Sequence, residues 1–199
     1  MANFSAPRGL SPVSTTTGAP FNEQGRLYYI ASDSSNTYAV GDIVKSTVGG
    51  DANGVAQVVK AAATDIPLGV IVGFRAADPG VSLQGVNLDL TKIYLNKSAG
   101  ARYAYVVDDS SVVFEVQSTN TAASVVGSTA VPNITADQTS TLAQSSPFSS
   151  TTVTIDASAT KASMFQVIGV VQRPDNSVGA NNKVLVAFNK HQFFGGFGA

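Results

Sequence analysis

The sequence predicts an all-β protein, built as an antiparallel β-barrel or a jelly-roll-like sandwich. Three features carry that expectation: short runs rich in β-branched and aromatic residues, glycine- and asparagine-rich punctuation between them, and no convincing heptad or long amphipathic helical period. The best helical stretch, residues 157–165, is short and ambiguous. A chain of 199 residues fits one domain, or one domain with an extended arm, and can bury a continuous core.

In chain order, residues 1–25 come first and carry Pro7, Pro12 and Pro20, a Ser-Thr-Thr-Thr run from Ser14, and Gly9, Gly18 and Gly25. That composition suits an extended arm. Ordering roughly 25 residues at about 1–2 kcal/mol each requires on the order of 1,000–2,000 Å² of apolar burial at about 25 cal/mol per Å². Phe4, Leu10, Val13 and Phe21 do not supply that area alone. The arm is therefore expected to order only against a partner, with its prolines restricting the free chain and lowering part of the entropy loss.

Residues 26–199 read as a single β domain. Leu27-Tyr28-Tyr29-Ile30 and Tyr38-Ala39-Val40 are strand-like, and the Gly41-Asp42 turn leads into Ile43-Val44. A Gly49-Gly50-Asp51-Ala52-Asn53-Gly54 loop, whose glycines and Asn53 tolerate positive φ, introduces a strand over residues 55–60. Leu68-Gly69-Val70-Ile71-Val72-Gly73-Phe74 is a buried strand in which the glycines mark a bulge or a close backbone approach. Val112, Phe114 and Val116 alternate with Val113, Glu115 and Gln117, as in a strand with one buried face, and Val184, Val186 and Phe188 repeat the pattern. An insertion at about residues 118–150 holds one charged residue, Asp137, and is expected to lie across another subunit; a flexible Gly/Phe tail is expected at about residues 192–199.

Composition bounds the function. Hydrophobic residues make up 44% of the chain and charged residues only 13%, about half the usual charged share. A surface of Ser, Thr, Asn, Ala and Gly buries against a neighbour at little desolvation cost, so packing into an assembly is favoured. Twelve Lys plus Arg balance thirteen Asp plus Glu with no dense basic run, which argues against direct contact with nucleic acid. With no cysteine, neither disulfides nor thiolate metal sites are available. The N-terminus lacks a basic segment followed by an apolar stretch, and the longest apolar runs are strand-sized. No membrane partner is expected, and synthesis and retention in a cytoplasm are.

Motifs that carry chemistry are sparse, and no enzyme activity, cofactor or metal is expected. A Ser-His-Asp arrangement or a multi-histidine metal site would need His191, the one histidine, which reads instead as a lone core or surface residue. Ser158-Ala159-Thr160-Lys161 matches the S-x-x-K string of acyl-serine enzymes without its companion motifs. Asp108-Asp109-Ser110-Ser111 between apolar runs is a polar hairpin turn before it is a carboxylate pair with Glu115. Asp51 and Asn53-Gly54 lack the spaced ligands of a calcium loop. Asn96-Lys97-Ser98 and Asn133-Ile134-Thr135 are glycosylation sequons only in a secreted chain. Gly195-Gly196-Phe197-Gly198 precedes no helix that could present amides to a phosphate.

One ordered series of short motifs spans nearly the whole chain. It runs through Ala6-Pro7-Arg8-Gly9-Leu10 with Pro12-Val13, Gly41-Asp42 with Val44, Leu68-Gly69-Val70 to Gly73, and Phe114-Glu115-Val116-Gln117. Val167-Ile168-Gly169-Val170, Arg173-Pro174-Asp175-Asn176 and Asn189-Lys190-His191 complete it. In this order the chain resembles the decoration or cement proteins on the heads of tailed bacteriophages, particularly short-tailed ones. Members of that family often carry a proline after the paired aspartates, where this chain has Ser110. The resemblance implies a structural virion protein, made in the host bacterial cytoplasm, that binds the outer surface of the phage head. Its implied partners are the major capsid protein and copies of itself as a dimer or trimer. Phe4, Leu10 and Phe21 are then the expected apolar anchors to the shell, with Arg8 pairing a shell carboxylate; the alternative is an arm that packs on its own subunit. The competing reading is another virion component, a tail or adhesion β module that binds glycans; the absence of Trp weighs against it.

Overall fold

A computed structural model describes residues 3–31, 36–75, 88–89, 94–95, 102–119, 129–133, 148–156 and 163–193. Among them the protein is all-β, with no helix. In chain order the strands are β1 (Ser11–Thr15), β2 (Arg26–Ile30), β3 (Tyr38–Ala39), β4 (Ile43–Gly50), β5 (Ala56–Lys60), β6 (Gly69–Arg75) and β7 (Leu88–Asp89). Next come β8 (Tyr94–Leu95), β9 (Arg102–Val107), β10 (Val112–Gln117), β11 (Thr129–Asn133), β12 (Thr152–Asp156), β13 (Phe165–Val170) and β14 (Lys183–Phe188).

Two sheets form the body. The first has the order β4-β5-β2-β9-β6-β7, and a further pairing of β4 with β6 closes its five long strands into a ring. Closure passes through Ile43↔Val70 and Val44↔Gly69 and through the Leu68 amide, which donates to the Val44 carbonyl at 2.8 Å. Every pairing in the ring is antiparallel except β2 with β5, which meet in parallel at Tyr29↔Gln57. The second sheet has the order β1-β10-β14-β13-β11-β12. It curls until Val153 in β12 bridges Ser118, the residue after β10, and the Thr119 amide donates to the Val153 carbonyl at 2.9 Å. Sandwich and barrel thus describe the same body, whose first sheet closes on itself.

Strand pleat decides which core each residue joins. In β6, Ile71 and Phe74 fill the ring together with Tyr28, Ile30, Val44, Val58 and Val106, while Val70 points outward. Outside the ring, Val70 joins Ile43 and Val107 in a second core built with Phe114, Phe165, Val184 and Val186 of the other sheet. The expected bulge lies between Ile71 and Gly73. Gly69 makes the expected close approach, because a Cβ there would stand 2.2 Å from the Val107 carbonyl oxygen.

Residues 3–25 do not project as an arm: they lie on the chain's own sheets. β1 pairs antiparallel with β10, and residues 19–21 fold back on its outer edge, where the Phe21 amide donates to the Val13 carbonyl at 3.2 Å. The apolar area that this segment lacks is supplied within the same chain, with Leu10 only 1% exposed in the second core. The same segment changes β10, whose second face was expected to meet solvent. The Ala6 amide donates to Gln117 Oε1 at 2.8 Å, and both Val113 and Gln117 are buried. Gly49 and Gly50, expected in a loop, extend β4, and the register shift between Ser46 and Gly50 leaves Val48 pointing into solvent.

At the Gly41-Asp42 turn these parts are tied together. Gly41 has φ +94°, and a Cβ on it would meet the Arg8 carbonyl oxygen at 2.4 Å. The Leu10 amide donates to the Gly41 carbonyl, and the Gly41 amide donates to that of Ile71. Asp42, fully buried, accepts from the Ser149 hydroxyl and from the Ala39 amide and pairs with Lys60 Nζ at 3.0 Å.

The expected insertion over residues 118–150 contains β11 and ends at the buried Ser149; its residues 120–128 and 134–147 fall outside the described residues, as does the tail from residue 194. The helical stretch over 157–165 is described only from Ser163, and Phe165 opens β13.

Candidate assembly surface

Of the exposed large apolar side chains among the described residues, Phe4, Val48, Ile66, Val178 and Phe193 gather at the two ends of β14, while Val13 and Ile168 lie on β1 and β13. At its Lys183 end, Asn3 fastens the N-terminal chain to the following turn: its Nδ2 donates to the Ser177 and Ala180 carbonyls, and its Oδ1 accepts from the Ser177 amide at 2.9 Å. Phe4 emerges beside this fastening with 85% of its surface exposed, and Val178 on the same turn is 53% exposed. A cavity of about 240 Å³ lies there, lined by Phe4, Arg173, Asp175, Asn176 and Lys183 among others. Arg173 holds Glu115 with two hydrogen bonds, of 2.8 and 3.3 Å. Lys183 donates to the Ala6 carbonyl at 3.1 Å, and burial pulls its ammonium below the usual lysine range.

Past the other end of β14, residues 189–193 cross the ring as a clasp. The Gln192 amide donates to the Pro67 carbonyl at 2.9 Å, and its side chain acts like a short strand, with Oε1 accepting from the Ser46 amide and Nε2 donating to the Ser46 carbonyl. Val48, Ile66 and Phe193, each next to or near a clasped residue, are 100%, 42% and 49% exposed. Beside them opens a polar groove of about 570 Å³ lined by Glu23, Arg26, Asp108 and Asp109 among others. Arg26 joins groove and clasp, since it pairs with Asp108 at 3.4 Å and sits over the Phe193 ring.

The structure separates the four expected anchors. Phe4 is exposed. Arg8 is exposed and lies 5.3 Å from the Phe148 ring centre. Leu10 is corrected, being a core residue of its own subunit, and Phe21 packs half-buried against the same core. Val48, Ile66, Val178 and Phe193 were missed, because bulge and turn geometry, not residue type, exposes them.

Other chemical candidates act locally. Asp109 Oδ1 accepts from the Ser111 amide at 2.8 Å and Asp108 accepts from the Tyr28 hydroxyl at 2.6 Å, so the pair builds the corner between the two sheets. Tyr28 is held above the ordinary phenol range, by burial and then by that bond. Asp51 caps its own loop by accepting from the Asn53 and Val55 amides and from Tyr103, whose hydroxyl rises to about 12 through burial and that bond. His191 is 2% exposed, packed between the Phe188 and Phe193 rings, and burial lowers its pKa so that it stays neutral near pH 7. Ser158, Lys161, the Asn96 sequon and most of the Asn133 sequon lie outside the described residues.

The fold and its surface define an all-β protein of two packed sheets with an apolar group at each end of one central strand. Compared with known proteins, the chain matches no family model, no curated protein and no solved structure.

Proposed function

We propose that this chain is a structural subunit of a bacteriophage head, a decoration protein that binds the outer shell across neighbouring capsid subunits and raises the free energy needed to part them. The observation that carries the reading is Phe4, a phenylalanine 85% exposed on a backbone fixed by the Asn3 and Ala6 hydrogen bonds. Held in place before binding, it loses little conformational entropy when a partner covers it. Low charge supports the same reading, because a surface of small polar residues is cheaply desolvated. The step from assembly subunit to phage shell rests on the ordered motif series, whose Gly9, Gly41, Asp42 and Gln117 meet at the seam where the N-terminal segment docks.

The test is reconstitution of purified protein onto phage heads that lack it, followed by cosedimentation and electron microscopy. Wild-type protein is expected to add density to the shell exterior and to raise the temperature at which heads release DNA. Phe4→Asp, at a site remote from both cores, is expected to weaken attachment at least about tenfold. Attachment is expected to fall only modestly with salt, since the contact is mainly apolar and backbone-mediated. Heads that gain neither density nor heat resistance would overturn the proposal.

A further inference from the structure

We infer that copies of this chain bind one another head to tail, the Phe4 end of one against the Phe193 end of the next. The two ends are far apart on one body. Lys183 pairs with Gln117 at one end of the β10–β14 ladder and Ala187 with Val113 at the other, a separation of roughly 13 Å at about 3.3 Å per residue. Both ends carry an exposed phenylalanine with a second exposed aliphatic residue, Val178 beside Phe4 and Ile66 beside Phe193.

Charge selects a second copy as the occupant. Around Phe4, three cations, Arg8, Arg173 and Lys183, face two carboxylates, Glu115 and Asp175, so positive charge is in excess. Around Phe193, the groove carboxylates Glu23, Asp108 and Asp109 face Arg26, with Lys190 as a further cation in the clasp and the Lys45–Asp65 pair beside Ile66 balanced, so negative charge is in excess by one. A like end would repel, whereas the opposite end of another copy supplies both an apolar cover and the complementary sign. Such a contact is heterologous: it joins different surfaces of the two copies and builds rings or open chains, not a two-fold dimer.

This inference is tested on the purified chain alone, and it competes with the shell contact for Phe4, since a copy whose Phe4 is covered by the shell cannot also pair with a neighbour through it. Sedimentation velocity of the wild type at low salt is expected to show mass rising with concentration, and less association as salt is added. Phe4→Asp and Phe193→Asp should each remain monomeric, with association weakened at least about tenfold. Their equimolar mixture is the decisive arm. The intact Phe193 end of the first variant fits the intact Phe4 end of the second, so heterodimers form and growth stops there. Ile66→Asp, which leaves the Gln192 hydrogen bonds in place, serves in the same mixture if Phe193→Asp loosens the clasp. A wild-type protein that stays monomeric to about 1 mM, variants that associate as well as the wild type, or a mixture that stays monomeric would each overturn the inference.

Discussion

Asp42 and Lys60 are 0% and 5% exposed at the side chain, and no solvent screens their contact of 3.0 Å. Removing one partner strands the other charge in the interior, which costs about 3–5 kcal/mol, whereas the intact pair adds little net stability. Asp42→Ala also removes the acceptor of the Ala39 amide and one of the Ser149 hydroxyl's hydrogen-bond partners at the seam. The expected outcome is a melting temperature lower by on the order of 10 °C, read by circular dichroism; an unchanged midpoint would show the pair to be idle. His191 bears on pH. Its folded-state pKa is depressed by burial, so between that value and the unfolded value of about 6.5 the unfolded chain binds more protons. Its share of stability is whole above pH 6.5 and drains as pH falls toward the folded value. Urea midpoints at pH 7.5 and 5 should differ in that direction, and His191→Gln should narrow the gap while lowering stability at both. Sequence alone showed His191 as solitary and Asp108-Asp109 as a turn, because chain position and neighbours decide both. It could not show Asp42 as a buried ion, since Lys60 lies eighteen residues away and only the fold brings the two together.

At the scale of elements, the strands with strong β-branched patterns were legible to within a residue or two, β6, β10 and β14 foremost. β1 was not, and its chemistry says why. Pro12 and the Ser-Thr run deny it a strand pattern, yet an edge strand needs ladder partners on one side only and accepts proline there. Proline, the shift at Val13 and the covering residues 19–21 also blunt that edge against unwanted pairing. Deleting residues 1–15 is thus expected to expose β10 and leave insoluble protein, while deleting residues 1–3 leaves a soluble fold; solubility and far-ultraviolet circular dichroism distinguish them. Gly69 is a glycine that the β6–β9 pairing cannot spare. The Val107 carbonyl in the path of a new Cβ is backbone and cannot turn aside, so Gly69→Ala should destabilise by at least about 1–3 kcal/mol. Gly54→Ala, where φ is +82° but nothing stands within 4 Å, should show only the smaller conformational penalty.

The whole molecule raises the question of whether a closed ring and a curled sheet fold as one unit or two. Ring closure was beyond any local pattern, since it depends on β4 meeting β6 and on one parallel contact between β2 and β5. The exposed ends of β14 were equally hidden, because they follow from a bulge in β4 and from the clasp of residues 189–193. Cooperativity follows from how the cores are shared. Ile43, Val70 and Val107 belong to ring strands but lie in the same core as Phe114, Phe165 and Val184, so neither sheet keeps its apolar face dry without the other. The seam at Gly41-Asp42 and the Gln192 clasp add polar ties across the same boundary. A single calorimetric transition is therefore expected, with calorimetric and van't Hoff enthalpies equal. Ile71→Ala inside the ring and Phe165→Ala in the shared core should each remove about 2–5 kcal/mol and shift that one transition as a whole. If Ile71→Ala instead splits the trace, moving one peak and leaving another at the wild-type temperature, the ring and the curled sheet are separate folding units and the shared core does not couple them.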